Sequence, residues 1–194
     1  MTDLKAELHE KLRVTRAVMV AKLEGLSEYD VRRPVTASGT NLLGLVKHLV
    51  GCEQVYLGDS FGRPTPFTLP WVEDKSIWDN ADMWVRPEES REYVLDLYDQ
   101  ACRHGDATIE ALDLDAPGSV PHWPAERAAT TLGVLLIRMV DETAHHAGHA
   151  DICREIIDGS PGQADAQEIG DATYWSDYVA TIQAAAETFR ERSS

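Results

Sequence analysis

The chain is short of cysteine, of phenylalanine and above all of positive charge: 3 Cys, 3 Phe, and 18 Lys and Arg against 33 Asp and Glu in 194 residues. The cysteines, Cys52, Cys102 and Cys153, are odd in number and nowhere spaced as CxxC. That argues against a disulfide framework and against a cysteine-rich zinc knuckle. The shortage of basic residues leaves a formal net charge of -15, and a surface this acidic repels phosphate backbones and anionic lipids. With no Lys/Arg run anywhere, the expectation is no nucleic-acid and no membrane partner. No apolar stretch approaches the roughly 20 residues that span a bilayer. The opening Met1-Thr2-Asp3-Leu4-Lys5 is charged at once rather than apolar like the core of a leader. A cytoplasmic location is therefore expected. At 43% hydrophobic residues the chain can still bury a core, and its length suits one domain over 1–194.

What is present is helical periodicity. Leu4, Leu8, Leu12, Ala17 (or Val18) and Met19 recur at three- and four-residue steps over 2–23, with Thr2 placed as an N-cap and Gly25 as a stop. Leu42, Leu45, Val46, Leu49, Cys52 and Tyr56 mark a second helix ending near Gly58. A third is expected from Pro87, with Glu88 and Glu89 at its positive N-terminal end, through to Leu112. The fourth runs from about Thr131 to Asp158 and stops at Gly159-Ser160-Pro161-Gly162. A last helix over 173–190 carries Tyr174, Trp175, Tyr178, Ile182 and Phe189, which suggest packing across the bundle. Two long connections, 61–87 with Trp71, Trp78 and Trp84, and 113–130 with Trp123, separate these helices. Apart from a short piece at Phe67-Thr68-Leu69, nothing reads as strand. The predicted class is all-α: a four-helix bundle with long loops, at least one crossover and a C-terminal extra helix.

The residues that carry chemistry sit on the fourth helix. Leu135, Met139, Glu142, His146, His149, Cys153 and Ile156 form one stripe at helical spacing, apolar at both ends and polar in the middle. A carboxylate and imidazoles on an inward face each need a partner, and a divalent metal supplies one. Ligands at i and i+4 converge on a point, and two such pairs exist: Glu142 with His146, and His145 with His149. The stripe favours the first pair, because the face through His145 runs by Arg138, Asp141 and Gly148. A third ligand has to come from another helix, and His48 is the candidate, at the edge of the second helix's apolar stripe. A solvated helix face is the competing reading of the His145, His146 and His149 cluster. His9, His104 and His122 are read as surface or loop residues, and the cysteines as inert packing.

Leu42-Leu43-Gly44-Leu45-Val46-Lys47-His48-Leu49 followed by Glu53, the run from Asp141 through His145-His146-Ala147-Gly148-His149 to Glu155, and the Asp158-Gly159 stop together resemble the DinB-like superfamily. The similarity is to an actinobacterial branch, first known only as a domain of unknown function, related to mycothiol-dependent S-transferases and maleylpyruvate isomerase. The resemblance implies a bundle of up-down-down-up topology with a metal held by one side chain of the second helix and two of the fourth. Many relatives read His-x-x-x-His-Arg-Gly-Gln in the fourth helix. Laid on this chain, the second His falls on His146, the Gly on Gly148, the Gln on His149, and the first ligand on Glu142. The isomerase branch also uses Glu-x-x-x-His. A rival alignment puts His145, His149 and Asp151 on the His-x3-His-x-Glu motif of ergothioneine-type sulfoxide synthases, a family whose second domain this chain has no room for.

By that resemblance the expected ligands are His48, Glu142 and His146. The metal is expected to be zinc, with nickel, iron or manganese as alternatives, and His149 beside it orients water or moves a proton as the catalytic residue. The implied activity is transfer of a small-molecule thiol of the mycothiol type to a small electrophile. A metal-assisted hydrolase and a non-enzymatic, stress-linked binding module are the alternatives, and a homodimer is left open. At least one of the two aromatic loops is expected to border the metal pocket, unless their tryptophans only glue them to the bundle.

Overall fold

The computed structural model describes residues 3–160 and 170–190. Four long helices carry the fold: α1 (Leu4–Ala21), α3 (Leu42–Leu57), α5 (Arg91–Ala111) and α7 (Leu132–Asp158). Short helices fill the connections: α2 (Glu28–Arg32), α4 (Pro70–Glu73) and α6 (Ala125–Ala128). β1 (Pro117–Ser119) and β2 (Ala129–Thr131) pair antiparallel, with Gly118 opposite Thr130. α8 (Ala172–Glu187) follows the last long helix. The expected all-α bundle is present. The strand pair lies in the second long loop, whereas Phe67-Thr68-Leu69 forms no strand.

Helix ends follow local chemistry. Asp3 caps α1 by accepting from the Lys5 and Ala6 amides, while the expected cap, Thr2, lies outside the described residues. Asn41 caps α3 and accepts from the Gly44 amide. α5 starts four residues later than expected. Ser90 is its cap, its hydroxyl accepting from the Tyr93 amide, and Glu89 turns away from the helix end to meet Lys47 at 2.8 Å. A buried ammonium is a stronger draw on that carboxylate than a partial helix charge. Gly159, in the left-handed region at φ 75°, ends α7 as its sequence signal predicts.

The core forms two apolar clusters stacked along the bundle. One gathers Met19 from α1 and Leu23 just past its end, Leu42 to Val50 from α3, Val94 to Ala101 from α5, and Ala147 to Cys153 from α7. The other gathers Leu12, Cys52 to Leu57, Ile109, and Leu132 to Met139. The end of α1 thus lies with the start of α3, the start of α5 and the end of α7, which is the up-down-down-up arrangement. Ion pairs agree with it: Lys22 reaches Asp151 at 2.7 Å, and the Lys5 ammonium donates to the Leu112 carbonyl at the other end.

Between the clusters runs a polar layer. Arg16 of α1 grips Glu53 of α3 with two bonds of 2.7 Å and also meets Asp106 of α5 at 2.6 Å, where His9 joins at 2.8 Å. His9, expected at the surface, is in fact tied into this network. The expected packing of the last helix is corrected as well. No residue of α8 is buried, and Tyr178, Ile182 and Phe189 are exposed.

Candidate metal centre

The other half of the polar layer is where α3 faces α7. One donor atom each from His48, Glu142 and His146 lie within 4.8 Å of one another, the one such group of three among the described residues. Glu142 Oε1 stands 3.1 Å from His146 Nε2 and 3.4 Å from His48 Nε2, and the two imidazoles meet edge to face at 4.9 Å. Both ring Nε2 atoms therefore point at the same carboxylate. That convergence follows from the i, i+4 step on α7 and from the close pairing of α3 with α7.

His48 is held from behind by a residue that periodicity does not reveal. Its Nδ1–H donates to Asp82 Oδ2 at 2.7 Å, and Asp82 is 7% exposed. Asp82 belongs to the long loop between α3 and α5, and a glycine lets that loop come close. A Cβ on Gly44 would lie 2.0 Å from the Met83 carbonyl oxygen, and the Asn41 amide donates to the same oxygen at 3.0 Å. Gly44 is one turn before His48, so the loop's approach there sets Asp82 against the ring. Lys47 strengthens the anchorage: it is 1% exposed, donates to the Trp84 carbonyl at 3.0 Å and sits 4.4 Å from the Trp71 ring centroid.

The electrostatics describe a site short of a cation. Burial of His48 opposes its charge, but its hydrogen bonds to Asp82, then with Cys52 and Glu142, outweigh this and push its pKa up to about 12. The bond from His146, then that from His48, holds the Glu142 carboxyl far below the usual carboxylate range. Burial pushes the Cys52 thiol up, although its Sγ lies 3.4 Å from His48 Nε2. Two imidazoles and a carboxylate aimed at one point, with a second carboxylate fixing the outer nitrogen of one ring, make a donor set that suits a divalent ion.

The fourth-helix stripe needs one correction. His146 and Cys153 are buried and Glu142 half-buried, but His149 is exposed and Ile156 is 58% exposed. The inward face runs through Met139, Thr143, Ala147, Ala150 and Cys153, with Ile157 packed beyond it, so Glu142 and His149 flank it. His149 Nδ1 lies 3.4 Å from His146 Nδ1, and burial, with His145 and His146 nearby, lowers its pKa. The rival set is not brought together. His145 is exposed and stacks edge-on to His149 at 4.4 Å, while Asp151 is paired with Lys22.

A cavity of about 420 Å³ adjoins His48, Cys52 and Asp82, lined by Leu69, Ile77 and Trp78 of the first long loop and Pro121 and His122 of the second. Both loops therefore border the pocket. Their tryptophans divide the work: Trp78 lines the cavity, whereas Trp71 is buried against Lys47 and anchors the loop.

A family model for mycothiol S-transferases matches residues 7–159, spanning His48, Glu142 and His146. The chain belongs to that family. In this family member His48, Glu142 and His146 fall where the DinB-like resemblance places ligands. The fold is also similar to a solved structure described as the conserved protein of locus from Enterococcus faecalis. The TM-score is 0.61 and the identity 12%, over 82% of this chain and 100% of that one. Comparison with curated proteins gives no match. Among the described residues, no helix of this family member is long and apolar enough to cross a membrane.

Proposed function

We propose that the protein is a divalent-metal-dependent thiol S-transferase that joins a low-molecular-weight thiol of the mycothiol type to a small electrophile. The observation that carries this reading is the convergence of His48, Glu142 and His146 beside a cavity walled by apolar loop residues. His48, Glu142 and His146 would hold a divalent ion, zinc first and nickel, iron or manganese otherwise, and such an ion would supply Lewis acidity that favours the thiolate form of a thiol.

The chain's own residues do the rest. Asp82 accepts the His48 Nδ1 proton, so Nε2 is the nitrogen presented to the site. His146 Nε2 and Glu142 Oε1 are set by the pitch of α7 and need no loop to position them. His149, at the exposed edge and 3.4 Å from His146, takes up or passes on the proton that the thiol gives up. Leu69, Val72, Ile77 and Trp78 exclude water from the electrophile.

Cobalt substitution tests the reading. Addition of a mycothiol-type thiol is expected to change the visible spectrum and to support transfer to a chromogenic electrophile. A spectrum of four protein ligands that ignores thiols would refute it.

A further inference from the structure

The cavity beside His48 is apolar in its walls, and once His48 gives up its proton to make way for a bound metal its charge would be of one sign. Its charged lining residues are Asp59 and Asp82, and no Lys or Arg lines it. Asp82 is committed to His48, but Asp59, at the start of the turn after α3, is half-buried and accepts no side-chain hydrogen bond among the described residues. Burial raises its pKa, as it does for a carboxylate facing apolar walls. Gln54, before it on α3, lines the same cavity, while its Oε1 is buried without a hydrogen-bond partner. A divalent charge at the metal centre would be balanced by Glu142 and Asp82, leaving Asp59, with only His104 nearby to oppose the effect of burial, as the remaining charge in the cavity wall. Arg138 is drawn over the Tyr56 and Trp123 rings, at 4.8 and 5.2 Å, and does not line the cavity.

We propose that this cavity is the electrophile subsite, and that Asp59 makes it select uncharged or cationic electrophiles with an apolar body over carboxylates. The inference rests on the transferase reading for its word electrophile, but its charge selectivity is a binding property that exists without turnover. Trp78, 72% exposed, supplies the flat apolar face. The cavity volume falls within the range of about 300–1,000 Å³ that holds small organic molecules. The consequence is that a dicarboxylate electrophile is disfavoured in this cavity.

The test uses the metal-loaded protein and two probes that differ by one negative charge and a methyl group, dansylglycine and its methyl ester, titrated by dansyl fluorescence. A second carboxylate within the cavity meets repulsion from Asp59, so the ester is expected to bind on the order of tenfold more tightly. Asp59→Asn should shrink that preference, Asp59→Lys should reverse it, and Trp78→Ala should weaken both probes. Equal binding of the two probes, failure of the ester to bind at all, or a preference that survives both Asp59 variants would overturn the proposal. So would tight dansylglycine binding that is lost in Arg138→Gln. The titration needs no thiol, so absence of thiol transfer counts against the transferase reading alone, whereas equal probe binding counts against this one alone.

Discussion

Removing the Asp82 carboxylate is the sharpest perturbation of the site, because Asp82 is not itself a proposed ligand but fixes one. Asp82 Oδ2 lies 2.7 Å from His48 Nδ1 and the residue is 7% exposed, so the bond is short, charge-assisted and shielded from water. Such a bond contributes about 1.5–3 kcal/mol, and at about 1.4 kcal/mol per tenfold this is about 10–100-fold in metal affinity, the range known for partners that orient metal-bound histidines. Asp82→Asn keeps an acceptor oxygen and should fall at the low end, whereas Asp82→Ala removes acceptor and charge and should fall at the high end. Competition with a chromogenic chelator measures the constant directly, and circular dichroism of the metal-free variants checks that the bundle has formed. Wild-type affinity in a folded Asp82→Ala variant would refute the reasoning, since His48 would then need no fixing.

Three further outcomes are expected. Elemental analysis should find stoichiometric metal lost in His48→Ala, Glu142→Ala and His146→Ala but kept in His145→Ala; the reverse pattern would move the site to the His145–His149 pair. Calorimetry of metal binding in buffers of different ionisation enthalpy should show close to one proton released from His48 at pH 7, because its pKa of about 12 keeps it protonated, whereas an unperturbed imidazole would hold only about a quarter of a proton there. The same raised pKa stabilises the metal-free fold fully below about pH 6.5, and the contribution is lost as the pH rises through the folded value. Finally, Glu53→Gln should cost about 3–5 kcal/mol in urea denaturation by leaving the Arg16 guanidinium buried without its carboxylate, while Arg16→Met with Glu53→Leu should cost far less. A single variant no less stable than the double would sink that account.

The sequence by itself determined the helices and the donors they carry, since a 3.6-residue period places Glu142 and His146 on adjoining turns whatever surrounds them. It also carried a readable sign of the Arg16–Glu53 pair, because each interrupts an apolar stripe, Arg16 between Leu12 and Met19 and Glu53 between Val50 and Leu57. Those stripes show that two charges are buried but not that they face each other. The start of α5 was misplaced for a related reason: Pro87, Glu88 and Glu89 satisfy every local rule for a helix N-terminus, yet a buried lysine 42 residues earlier claims Glu89. Asp82 was invisible, an acidic residue in a loop with no period to set it apart. Only the tertiary structure could decide that it stands behind His48, because its place depends on Gly44 admitting the Met83 backbone. The same holds for the cavity, whose walls come from two loops that meet only when the bundle closes. Local order is a property of neighbouring residues and can be read from spacing. A site built across helices and loops depends on which distant groups the packed core brings within a few ångströms, and no spacing records that.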